Sequence, residues 1–194
     1  MNTKAVVGIG TLIIFIATIV VSMVAAGVLV RSTGLLQERA LFVEETARER
    51  LISGIEVFAV YAQGDRENQT ISEFEFHMRL RPGSNPVQMR TLSMAFDTED
   101  RIYAAELNEN LIGDTCSFDA LDRGLEFCYV DRFGNEDTVL EEGELFIVRF
   151  GLPEDEALET FVEFEVTFTP RVGSLELISL RTPEIVLTRR IRLR

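Results

Sequence analysis

The sequence is poor in three residue types that carry much of protein chemistry: it has one lysine, one histidine and two cysteines in 194 residues. A lone histidine, His77, offers neither a second imidazole nor a nearby cysteine to activate, so no catalytic residue is assigned and an enzyme is not expected. The alternation around it puts His77 on the polar side of a strand, as a solvated surface residue. Cys116, Cys128 and that distant histidine do not make a four-ligand zinc set. Asp114, Asp119, Asp122, Asp131 and Asp137 could offer oxygen ligands, but their spacing lacks the alternate acids and fixed glycine of an EF-hand, and they read as solvated acidic surface. No metal and no cofactor are expected. The net charge of −13 removes another class, because a nucleic-acid-binding protein normally presents a basic face. Disorder is excluded by 14 phenylalanines and many Val, Ile and Leu residues.

One absence is local. From Ala5 to Val30 there is no charged residue, and Lys4, the only lysine, stands just before this run. The rest of the chain holds all 32 acids against 18 arginines, a net −14 over residues 31–194. A mean hydropathy of +0.13 in so acidic a chain is therefore the average of two physically different segments.

At about 1.5 Å per residue, 26 helical residues extend about 39 Å, enough to cross a bilayer core of about 30 Å. A secretory signal peptide is the competing reading, but its apolar stretch is typically about 7–15 residues and ends at a small-residue cleavage site. Ile9, Leu12, Ile13, Phe15, Ile16, Ile19, Val20, Met23 and Val24 supply the apolar surface. Thr18, Ser22 and Ala26 recur every fourth residue, a stripe that permits close approach of neighbouring helices and that an ordinary membrane helix can also carry. Beyond Gly34 the helical period continues through Leu36, Ala40, Val43, Ala47 and Leu51, with Glu38, Arg39, Glu44, Glu45, Arg48, Glu49 and Arg50 on the other face. One helix is predicted from about Val7 to about Leu51.

From about Gly54 the period changes from 3.6 to 2. Phe74, Phe76, Met78 and Leu80 alternate with Glu73, Glu75, His77 and Arg79, and Val162, Phe164, Val166 and Phe168 alternate with Glu163, Glu165, Thr167 and Thr169. Further strands are expected at Val57–Tyr61, Met89–Phe96, Leu125–Val130, Leu145–Phe150, Leu175–Leu180 and Ile185–Ile191. Turn signals separate them at Gly64-Asp65, Pro82-Gly83-Ser84, Gly134-Asn135, Leu152-Pro153 and Pro170–Gly173. About eight antiparallel strands and no second helix predict an α+β chain: a long N-terminal hydrophobic helix followed by a two-sheet sandwich with a phenylalanine-rich core.

Cys116 and Cys128 either close a loop of about a dozen residues as a disulfide or remain free thiols. Asn68-Gln69-Thr70 is an N-glycosylation sequon in a polar turn, or a chance tripeptide. The tail Arg189, Arg190, Arg192 and Arg194 has two readings: an edge strand whose arginines discourage wrong pairing, or a basic element that meets acidic patches of adjacent subunits.

The stretch Val7-Gly8-Ile9-Gly10-Thr11-Leu12-Ile13-Ile14-Phe15-Ile16-Ala17, followed by Ala25-Ala26-Gly27-Val28-Leu29-Val30 and Gly34-Leu35-Leu36-Gln37, closely resembles the amino terminus of archaeal flagellins, or archaellins. Gly10 stands where related type IV pilins carry a glutamate, which sides with archaellins. Leu80–Val87 and Pro170–Gly173 resemble the family's Pro-Gly-Ser turn and late Pro-x-x-Gly turn with lower specificity. The Arg-rich tail departs from the usual end of the family.

The resemblance implies an antiparallel immunoglobulin-like β-sandwich behind the helix. It also implies removal of a leader by a prepilin-peptidase-like enzyme, with Lys4 before the cut, Ala5 as the last leader residue, Val6 as the first mature one and Gly8 two places on. Ala5 stands where the family has glycine. The domains expected are a cleaved leader, residues 1–5, the helix, residues 6–53, and the outer sandwich, residues 54–194. The function implied is a structural subunit, held in the cell membrane before assembly, that polymerises with copies of itself or related subunits into the extracellular archaeal flagellum. Its other expected partners are the motor and assembly machinery. An adhesive pilin, or a membrane-anchored monomer whose sandwich binds a ligand, would share these features.

Overall fold

A computed structural model describes residues 3–132 and 137–194, and side chains from Gly8 onward except those of residues 49–52. The Gly134-Asn135 turn lies outside the described residues. The chain divides into two compact units, Met1–Ala47 and Arg48–Arg194.

The first element is a single helix, α1, Thr3–Ile52. Its apolar half is rich in Val, Ile and Thr, which are only moderate helix formers in water, so intrinsic propensity does not account for it. A helix does satisfy every interior backbone N–H and C=O without a partner segment, which an apolar environment requires. The hydroxyls follow suit. Thr11 Oγ1 donates to the Gly8 carbonyl at 2.9 Å, Thr18 Oγ1 to Phe15 at 2.8 Å, and Ser22 Oγ to Thr18 at 2.7 Å.

The second unit is all β. Its strands are β1 (Ile55–Asp65), β2 (Thr70–Leu80), β3 (Val87–Gln88), β4 (Ser93–Thr98), β5 (Ile102–Ile112), β6 (Glu126–Asp131), β7 (Val139–Leu140), β8 (Phe146–Gly151), β9 (Glu163–Thr169), β10 (Glu176–Arg181) and β11 (Arg190–Arg192). Nine of them follow one another in the order β10-β9-β4-β5-β6-β8-β2-β1-β11, while β3 and β7 pair separately.

The nine-strand order folds into two facing layers because β5 belongs to both. Its first half pairs antiparallel with β4, Ala105 opposite Met94, and its second half runs parallel to β6, with Glu106 opposite Glu126. The layers meet through phenylalanines. Phe74 of β2 lies 5.0 Å from Phe96 of β4 and 5.2 Å from Phe164 of β9, Phe96 lies 5.3 Å from Phe150 of β8, and Phe76 lies 5.3 Å from Phe168. All six rings are buried. Each such ring removes about 150–250 Å² from water, so this cluster dominates the energetics of the unit.

Buried side-chain polar atoms are matched among the described residues except His77 Nε2, which has no hydrogen-bond partner. Thr182, buried, donates its hydroxyl to the Glu159 carbonyl and accepts the Val162 N–H, both at 2.8 Å. Tyr129 stacks on Phe146 at 4.7 Å and donates to the Asp137 carbonyl at 2.9 Å; burial pushes its phenol up to about 12. Gly173 sits at φ +120°, and a Cβ there would come within 2.7 Å of the Ser53 carbonyl oxygen, which accepts the Ser174 N–H at 2.8 Å. No side chain fits that approach.

The structure corrects the expected pattern in four places. Met89–Thr91 is a turn of 3₁₀ helix, with the strand beginning at Ser93. The late segment from Ile185 is extended only at Arg190–Arg192. β5 was not expected, and its pairing with β6 is parallel rather than antiparallel. His77 is half-buried instead of solvated: its ring lies 4.9 Å from Tyr61 and 6.0 Å from Phe58, where β1 bulges between Val57 and Ala59.

Candidate functional site

The described part of α1 presents its apolar side chains outward along its whole length. Ile9, Leu12, Ile13, Phe15, Ile16, Ile19, Val20, Met23 and Val24 range from 45% exposed at Ile19 to 72% at Met23. Burying side chains of this kind contributes about 1.5–3 kcal/mol each, so nine of them represent a driving force at or above the upper end of ordinary domain stability, about 5–15 kcal/mol. Gly8–Arg48 is long and apolar enough to cross a membrane by length and composition.

The small-residue stripe is longer than Thr18, Ser22 and Ala26. Gly8 and Thr11 continue it toward the amino terminus and Thr33 toward the other end, because steps of three, four and seven residues return to the same helix face. Thr33 Oγ1 donates to the Leu29 carbonyl at 2.5 Å, so this residue too turns its hydroxyl back on the helix. A Cβ at Gly8 would meet nothing within 4 Å, so that position is small without any described neighbour requiring it. The spacing of the stripe is readable in the sequence, and Thr11 and Thr33 bond their own helix as Thr18 does. Lys4, Ala5 and Val6 lie within the helix, and their side chains fall outside the described residues.

The other singled-out residues sit apart from one another. Cys116 and Cys128 are joined as a disulfide, which ties the loop through Phe118–Ala120 to β6. Arg149 donates to the Cys116 carbonyl at 2.7 Å and binds Glu75 at 3.0 Å, connecting that loop to the sheet. Asn68 occupies an exposed turn and donates from Nδ2 to Asp65 at 2.6 Å. Gln69 adopts φ +55° and accepts the Val186 N–H at 3.0 Å, which pins the turn. Among the described residues no group of three or more His, Cys, Asp or Glu side chains converges as a metal site.

The arginine tail is an edge strand. β11 pairs with β1, Arg192 opposite Tyr61, and Arg190 binds the buried Glu75 at 2.8 Å while lying 4.3 Å over the Tyr61 ring. Near it, burial lowers the pKa of His77, an effect that Arg190 and Arg132 reinforce and Glu75 opposes. Burial also raises the pKa of Glu73, against the pull of Arg123 at 3.0 Å.

The profile of one family, archaeal-type flagellin, matches residues 5–180. Flagellin B1 of Methanocaldococcus jannaschii is 26% identical over 196 residues, 93% of this chain and 90% of that protein. Flagellin B1 of Methanococcus voltae is 31% identical over 115 residues; that alignment spans 59% of this chain and about half, 52%, of the relative. Among solved structures, the archaeal flagellum of Methanospirillum hungatei strain JF1 superposes with a TM-score of 0.66 at 12% identity, over 92% of this chain and 95% of that one. At that identity the likeness is one of fold.

Proposed function

The chain belongs to the archaeal-type flagellin family, and on that premise we propose that it is a structural subunit polymerising through α1 into an archaeal flagellar filament that serves swimming. The observation carrying this reading is the helix itself. Its apolar side chains are exposed along the whole described length, yet its hydroxyls at Thr11, Thr18, Ser22 and Thr33 are already bonded within it. Such a rod can move from lipid into a bundle of like helices without uncovering a polar group.

In the precursor the helix holds the protein in the cell membrane. A prepilin-peptidase-like enzyme cuts after Ala5, leaving Val6 as the first residue. Helices of successive copies then pack through the small stripe, and the acidic β unit, outside the cell, keeps the polymer soluble and discourages bundling. A motor in the membrane turns the filament. Nothing in this role calls for catalysis, and the family is a structural one.

The test is deletion of Ala5–Val30 in the source organism, followed by electron microscopy of shed filaments and mass spectrometry of the intact protein's amino terminus. No filaments from the deletion, and a mature chain starting at Val6, are expected. Normal filaments from the deleted chain would refute the mechanism.

A further inference from the structure

The outer face of the β4, β9 and β10 layer carries a groove of about 800 Å³. Asp97 and Glu165 both line it and stand directly opposite each other across the β4–β9 pair. Like charges placed so weaken strand pairing, and a partner that brings positive charge relieves the conflict. Glu99 and Glu163 extend the negative lining, while Arg181, the one cation lining it among the described residues, is held by Glu163 at 2.6 Å and lies 4.3 Å from the Phe161 ring centre. Phe161 lines the groove and is more than half exposed at 55%.

The complementary surface is on the same chain, on the strand at the other end of the pairing order. β10 ends the nine-strand order on one side and β11 on the other. Of the tail arginines, Arg190 is engaged with Glu75 and Arg192 donates from Nε to the Arg194 main-chain oxygen at 2.7 Å, whereas Arg189, Arg192 and Arg194 are exposed and pair with no Asp or Glu side chain among the described residues. The ladder to β1 holds the tail on that strand, and none of its arginines lines the groove of its own chain.

We propose that the arginine segment Arg189–Arg194 of one copy docks into the acidic groove between β4, β9 and β10 of the next, with a guanidinium stacked on the exposed Phe161 ring. The contact rests on the filament reading and deepens it: two different surfaces make a head-to-tail interface, the kind that builds an open helical filament where the rotation does not close. Exposed Arg–carboxylate pairs are screened by salt, so this outer contact weakens as ionic strength rises.

The experiment uses the full-length chain in filaments shed by the source organism. R192E with R194E should cause loss of filaments at low ionic strength, with the difference from native filaments narrowing as salt is raised, and adding D97R with E165R should restore them. Circular dichroism of each variant checks folding. Benzoylphenylalanine introduced at position 161 of the otherwise native chain provides a readout independent of that check, and should cross-link to a peptide from residues 189–194 of another copy. Unchanged filament yield at low ionic strength in folded R192E/R194E, failure of the folded reciprocal change to rescue, or cross-links only to another segment or another protein would each overturn the docking. A native chain that forms no filaments at all overturns the filament reading, and this contact with it.

Discussion

The two units of this chain meet the same physical requirement, removal of apolar surface from water, in opposite ways. The β unit does so internally. Phe74, Phe76, Phe96, Phe150, Phe164 and Phe168 are buried against one another, and the charged residues of its strands face outward or are paired. Along the described helix, by contrast, the large apolar residues stay exposed and wait for lipid or for other helices. A substitution should therefore be silent or severe depending on whether the folded unit or the polymer is assayed.

The largest effect should separate the two assays. Phe96→Ala removes a ring that touches Phe74, Phe150 and Phe164 and should lower the unfolding free energy of the β unit by about 3–5 kcal/mol in a denaturant titration. Ser22→Leu should leave that titration unchanged and instead reduce filament yield, because a bulky side chain interrupts the stripe along which helices approach. If Ser22→Leu shifts the denaturation midpoint, the division between the units is wrong.

Replacing Cys116 and Cys128 together by serine should cost roughly 3 kcal/mol in the chain-entropy account, read as a lower midpoint for the β unit. Hydrogen exchange should quicken first in the loop around Phe118. A smaller loss, about 1–2 kcal/mol, is expected for Thr182→Val, which removes the buried hydroxyl's bonds with the Val162 N–H and the Glu159 carbonyl.

The smallest effect concerns pH. His77 has a pKa below its ordinary 6.5 in the folded chain, so between the folded value and 6.5 the unfolded state binds more protons. Its contribution to stability is complete above pH 6.5 and is lost as pH falls through the folded value. Glu73, raised above 4.5, has the opposite sign, and its burial penalty grows as pH rises through its folded value. His77→Phe should flatten the acid side of a stability profile measured by thermal melts from pH 5 to 8, while Glu73→Gln should flatten the rise in penalty above 4.5.

The helix was legible because its signal is a composition: 26 uncharged residues need no knowledge of what they pack against. Strands β2 and β9 were legible because one face of each is buried, which enforces strict alternation. β5 escaped for a physical reason. It changes partners midway, so of its residues Ile102–Ile112 only Ala105 is buried, and the alternation dissolves into Asn108-Glu109-Asn110. His77 was misjudged by the same rule that found its strand. The outer face is not uniformly wet, since the bulge at Phe58 and the ring of Tyr61 cover it, and neither is visible from spacing alone. The groove across β4, β9 and β10 combines residues more than 80 positions apart, which only the strand register brings together.

The shared strand has a mechanical side. Two layers joined only by side-chain contacts could slide or peel from each other under shear, losing one before the other. In this unit the backbone of β5 passes from a hydrogen-bonded ladder in one layer to a ladder in the other. A pull on either layer is thus taken up by covalent chain as well as by packed rings. The unit should yield as a whole, in one rupture rather than in stages, which suits a part that is dragged through a viscous medium.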